Sequence, residues 1–125
     1  MNELRVFIQT ALNNVSGVEC GAPMPDSMIE QGVTYFGYQL NNDFIDTDYD
    51  RNDSRQASIV GHIVRKMNSV EDGLYITDTA LKNVVDALKS LNFHCSYQDV
   101  SLDRTIRKIQ ITGYARYNEI NNWLV

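Results

Sequence analysis

Apolar residues near the start of the chain recur with helical spacing: Leu4, Phe7, Ile8, Ala11, Leu12 and Val15 share one helix face. Ser16-Gly17 ends that helix, since glycine adopts the left-handed conformation that closes a carboxyl terminus. From Gly17 to Gly32 the periodicity dissolves, and Gly21, Pro23, Pro25 and Asp26 mark a loop with a short helical turn over Ser27 to Gln31. Val33 to Leu40 (VTYFGYQL) is β-branched and aromatic on both parities, which predicts a strand covered at least partly on both faces. Asn41 to Arg55 is the most polar stretch, with a turn at Asn52-Asp53-Ser54, and Ser58 to Met67 (SIVGHIVRKM) resumes as a strand. Together these segments predict one long β-hairpin with an acidic outer half.

Val70 to Tyr75, containing Asp72-Gly73, reads as a connector. Thr77 or Asp78 then caps a second helix, whose Leu81, Val84, Val85, Leu88 and Leu91 keep helical spacing until Asn92 closes it. Lys82, Asn83, Asp86, Lys89 and Ser90 hold the opposite face, so this helix rests on something with one side only. Phe93, Cys95 and Tyr97 alternate with His94, Ser96 and Gln98 as a third strand, and Asp99 to Asp103 turns. Thr105 to Tyr117 follows as the fourth strand, with Ile109, Ile111, Gly113, Ala115 and Tyr117 on one face against Lys108, Gln110, Thr112 and Arg116. The order helix, strand, strand, helix, strand, strand predicts an α+β fold: a four-stranded antiparallel sheet with both helices on one face, in a single domain over residues 1–125.

Composition narrows the function. At 125 residues, with 43% apolar and 22% charged side chains, the chain can bury a core without staples. Its net charge of −5 argues against free-standing capture of nucleic acid, which draws affinity from neutralised phosphates. Cys20 and Cys95 have no metal-ligand spacing, so neither a zinc site nor a disulfide framework is expected, and a reducing compartment fits best. The first residues lack the apolar run of a signal peptide, and no segment reaches a membrane span, so a soluble protein made in the cytoplasm is expected.

Candidate chemistry is sparse. His94 and Cys95 are neighbours in a strand and point to opposite faces, so they cannot form a nucleophile–base pair; His62 could reach either only through the fold. With no phosphate-binding glycine loop, GxSxG or HExxH, no enzyme, cofactor or metal site is expected. Asp46, Asp48 and Asp50 alternate as in a calcium loop, but Arg51 and Ala57 stand where an EF-hand needs glycine and glutamate. Stacked like charges need water, a cation or a basic partner. Between Asn41 and Asp53 five aspartates (Asp43, Asp46, Asp48, Asp50, Asp53) face one arginine, a local net of −4. Arg104, Arg107 and Lys108 form the nearest basic cluster, so the acidic arm of one copy is expected to meet this cluster on the next in a head-to-tail ring.

The succession ELRVFIQTAL, GAPMPDS, VTYFGYQL, ASIVGHIVRKM, TALKNVVDALKSL, FHCSYQD and IRKIQITGYARY, which covers nearly the whole chain, resembles the tail terminator (tail completion) proteins of long-tailed bacteriophages. The resemblance is one of topology and pattern, and it carries over no functional residue one by one. It implies a structural virion protein of the tail–neck region, assembled in the host cytoplasm. Such a protein forms a hexameric ring that caps the tail tube, ends its polymerisation and faces the head-completion and neck proteins, while DNA passes through without specific binding. On that reading the five aspartates line the lumen or the contacts between subunits, where like charge lets DNA slide. Trp123, Leu124 and Val125 then either dock on a neighbouring subunit or tube or cover the chain's own sheet edge. The alternatives are another head–tail connector, of which adaptors are helical and closure proteins small β-barrels, and a small non-enzymatic ligand-binding α+β domain.

Overall fold

The computed structural model describes residues 2–44, 55–67, 70–102 and 105–116. Helices α1 (Asn2–Asn13) and α2 (Val70–Ser90) accompany strands β1 (Glu19–Gly21), β2 (Thr34–Phe44), β3 (Arg55–Lys66), β4 (His94–Leu102) and β5 (Ile106–Arg116), with one 3-10 turn at Asp26–Met28. The strands form a single sheet in the order β1-β2-β3-β5-β4. β1 runs parallel to β2, and every other pair is antiparallel. The fold is α+β.

Side-chain parity assigns the two faces. The register Phe36↔Ile63↔Ile109 aligns three buried side chains across β2, β3 and β5, and Ile59 and Ile111 lie on the same side. Ile8 and Leu12 of α1 and Val84 and Leu88 of α2 are fully buried against them in one cluster, so both helices cover one face. Each such side chain contributes about 1.5–3 kcal/mol on leaving water. The opposite parity, including Gln39, Val60, His62, Gln110, Thr112 and Tyr114, forms the open face.

α2 ends as the sequence indicates. Asn92 takes φ 67°, its N–H bonds the Lys89 carbonyl at 2.9 Å, and the Phe93 N–H bonds the Leu88 carbonyl at 3.0 Å. These are the two bonds of a Schellman closure, and the Phe93–Leu88 apolar contact that accompanies one lies within the core.

Three expectations require correction. The sheet has five strands and is mixed, because Glu19–Gly21, expected as loop, adds parallel to Tyr35–Gly37 at one edge. Three residues are too few to produce an alternating pattern. Second, the helix expected to begin at Thr77 or Asp78 begins at Val70. Asp72-Gly73 is helical rather than a turn, and Thr77 is no cap: its buried hydroxyl donates to the Gly73 carbonyl at 2.6 Å, one turn back. Third, Asp99 to Leu102, expected as a turn, continues β4 across an irregularity between Asp99 and Ser101.

Glycine at position 73 has a steric cause. A Cβ there would overlap the Sδ and Cγ of Met67 and stand 3.1 Å from its Cβ, and Met67 is itself buried. Gly73→Ala gains roughly 1 kcal/mol of helix propensity but loses about 1–3 kcal/mol to overpacking. Net destabilisation is expected in urea unfolding, reduced to near zero or reversed when the same change is made in a Met67→Ala background.

Candidate functional site

Arg107 is the principal buried charge among the described residues, 7% exposed on the helix-covered face of β5. Its Nη1 donates to Asp78 Oδ1 at 2.6 Å, to the buried Thr77 Oγ1 at 2.8 Å and to the Leu74 carbonyl at 3.3 Å. Its Nε donates to Asp99 Oδ1 at 3.1 Å. One guanidinium thus ties β5 to β4 and to the second turn of α2. Burial works against its charge, but the hydrogen bonds and charges of Asp99 and Asp78 outweigh that and raise its pKa.

At the same end of the sheet, the segment between β1 and β2 crosses the open face. Tyr35 Oη donates to the Ala22 carbonyl at 2.6 Å, and Pro23 lies so close that a Cβ on Gly37 would stand 3.0 Å from its Cα. Lys66 Nζ reaches the Ser27 carbonyl at 3.4 Å, and Lys108 Nζ reaches Asp26 Oδ1 at 3.4 Å, two strands beyond β2. Ile29 and Val64 are buried although Val64 has open-face parity, as expected of a segment laid over it. His62 sits in the row Gly37↔His62↔Gln110. Burial and then Lys108 lower its pKa, with Asp26 opposing.

The rest of the open face is polar and exposed. Ser96 and Thr112 hydroxyls pair at 2.8 Å, Gln98 Nε2 donates to Gln110 Oε1 at 3.1 Å, and the His94 and Tyr114 rings lie 5.1 Å apart. Cys95 points the other way, as its strand position requires, and burial pushes its thiol pKa up. Burial likewise pushes the Cys20 thiol to about 11. Both thiols therefore stay protonated near neutrality, the form that is a poor nucleophile. Among the described residues no three His, Cys, Asp or Glu side chains gather as a metal site, and no helix is long and apolar enough to cross a membrane.

The candidate residues named from sequence divide. Asp46, Asp48, Asp50, Asp53, Arg104, Trp123, Leu124 and Val125 lie outside the described residues. Asp43 is in β2, paired with Gln56. Arg107 is engaged with Asp78 of its own chain, and Lys108 carries the bond to Asp26. Sequence reasoning missed the Arg107 node and the crossing segment. Parity was the available signal for the first, since Arg107 shares the face of Ile109 and Ile111. No protein-family model matches the chain, and no curated protein matches it.

Two outcomes follow. Arg107→Met removes charge-assisted hydrogen bonds worth about 1.5–3 kcal/mol, so the urea midpoint should fall, whereas Lys108→Met, which loses one partly exposed ion pair, should change stability by about 1 kcal/mol or less. For His62, the folded pKa lies below the ordinary value of 6.5. The unfolded chain therefore takes up the proton first as pH falls, and stability should be full above that value and decline below it. Urea midpoints of wild type and His62→Gln between pH 8 and 5 should show a decline in the wild type that the variant lacks.

Proposed function

We propose that this chain is a subunit of a tail-terminator ring, a structural virion protein that caps a phage tail tube, stops its growth and joins it to the neck while DNA passes through. By the resemblance the ring has six copies. The observation that carries the reading is the β2–β3 hairpin, whose ladder runs unbroken from Thr34↔Arg65 to Phe44↔Arg55. Asp43 pairs with Gln56 near its far end, away from the end of the sheet that is held by Arg107 and the crossing segment, and the other four aspartates follow within the next ten residues of sequence. A negative segment suits a bore through which phosphates must slide without being held. The one-sided core also supports the reading, since with two helices on one face the part of the other face that the crossing segment leaves exposed, with Val60, Ser96 and Tyr114, is available for contact with other subunits.

The test is negative-stain electron microscopy of the purified protein, alone and mixed with phage tail tubes. Rings seated at a single end of tubes of uniform length are the expected result; protein that ignores tubes overturns the proposal. Converting Asp43, Asp46, Asp48, Asp50 and Asp53 together to Asn should leave the core folded. It should lower the yield of infectious particles at least tenfold in a complementation assay, and an unchanged yield would remove the arm from the mechanism.

A further inference from the structure

At Tyr97 the helix layer stops short of the sheet's β4 edge. Tyr97 has the parity of the helix-covered face and pairs with Ile111 of β5, yet Ile111 is fully buried and Tyr97 is 61% exposed. Between α2 and β4 lies a hollow of about 410 Å³, lined by Leu81, Val85 and Tyr97 and bounded along α2 by Asp78 and Lys89. β4 pairs with β5 on one side, and no described strand lies on its other side. An uncovered edge is a row of backbone donors and acceptors ready to pair with another chain, and natural edges are blunted by lysine or proline. The strand HCSYQDVSL has no lysine, arginine or proline, and Asp99 is its one charged side chain.

A strand that pairs antiparallel with its own copy does so about a two-fold axis. Paired residues agree in the face they take and in the side to which their backbone groups point, so the axis passes through one residue paired with itself. β4 keeps a regular ladder from His94 to Asp99 before its irregularity. An axis through Tyr97 sets Tyr97 opposite Tyr97, Ser96 opposite Gln98 and Cys95 opposite Asp99, with the helices of both copies on the same side of the joined sheet. Charge favours that choice. Lys89 stands at the Cys95 end of the hollow, where it lines a second one with His94 and Cys95. At the other end Asp78 and Asp99 share Arg107, two carboxylates against one guanidinium. The axis exchanges the ends, so Lys89 of each copy faces the surplus negative charge of the other, whereas an axis through Asp99 would oppose like charges. On the open face Ser96 and Gln98 are uncharged, and each both donates and accepts, so copies of a chain with net charge −5 meet there without opposed charges.

We propose that two copies of this chain associate through β4, paired antiparallel about a two-fold axis at Tyr97, so that each sheet extends the other and the two hollows meet over the tyrosines. The partner is a second copy of this chain. The pairing satisfies the outer backbone groups of β4 and takes Tyr97 out of water, the two features that a single copy leaves open. The contact is isologous and closes at two copies. It goes beyond the ring reading and does not rest on it, since the subunits of a ring meet through other surfaces.

Charge reversal with rescue tests it. In sedimentation the wild type should show dimer that grows with concentration. Ser96→Lys/Gln98→Lys protein sets lysine opposite lysine twice across the axis, and Ser96→Glu/Gln98→Glu protein does the same with glutamate. Both positions are exposed, and circular dichroism checks that each variant keeps its fold. Each variant alone should need about tenfold more protein to dimerise, while their mixture should form heterodimer as readily as the wild type. Independently, Tyr97→Cys in a Cys95→Ala background should give covalent dimer by itself under mild oxidation. Its yield should be tenfold or more that of Tyr75→Cys, an exposed position on α2, in the same background. A wild type that stays monomeric at every concentration overturns the proposal. So do lysine variants that dimerise like the wild type, a mixture that fails to restore pairing, or a Tyr97→Cys protein that does not cross-link. Dimers of this kind that ignore tail tubes sink the terminator reading and leave the pairing standing. Capped tubes built from protein that never pairs through β4 do the reverse.

Discussion

Ile59, Ile63, Ile109 and Ile111 occupy alternate positions on the two central strands, and all four are shut off from water beneath the helices. A one-residue slip of either strand would turn its pair outward and bring Val60 and His62, or Gln110 and Thr112, under α1 and α2. Each isoleucine turned out loses roughly 1.5–3 kcal/mol, and burying imidazole, amide or hydroxyl groups without partners costs a further few kcal/mol, on the order of 1–3 for each. Against a total stability of about 5–15 kcal/mol, the register has no near competitor. Everything on the open face is placed by that choice: the Ser96–Thr112 and Gln98–Gln110 pairs, the His94–Tyr114 rings and the row containing His62.

Polar clamps gather at one end of the sheet. Arg107 joins β5, β4 and α2, while one residue along the same strand Lys108 holds the crossing segment through Asp26 on the other face. Neighbouring residues of one strand thus fasten both layers, because successive side chains leave a strand on opposite sides. Arg65 adds a third tie from β3 to the Gly32 carbonyl at 2.9 Å. The far end, where β2 and β3 run out to Phe44 and Arg55, is held by the backbone ladder.

Much of this was legible in the residues themselves. The 3.6-residue pattern of Ile8 and Leu12 and of Val84 and Leu88, and the period of two in Ile109, Ile111 and Ala115, gave two helices and the central strands. Asn92 marked the end of α2 because its short polar side chain tolerates the left-handed conformation it adopts. What failed has local causes. Asp72-Gly73 has turn chemistry, but the glycine answers to the side chain of Met67, a tertiary contact that no window of sequence displays. β1 is too short to carry a period, and its pairing with β2 is settled by where the chain goes after α1. Arg107 drew attention as part of a charged cluster with Lys108, although adjacency in a strand already implied that the two point apart. Its partners, Asp78 and Asp99, come from two other elements and could be found only with the topology in hand.

Charge is unevenly distributed along the sequence. The net charge of −5 combines a segment 41–53 at −4, from five aspartates and one arginine, with a remainder near neutrality. At physiological salt exposed charges are screened over about 8 Å, so an acidic segment lying flat on the domain would do little to a strand of nucleic acid some tens of ångströms away. Only groups within roughly that distance of the phosphates can repel them. Ala57 and Ala115, paired level with Asn42, are still buried in the core, so the described ladder runs two residues past it, to Phe44 and Arg55.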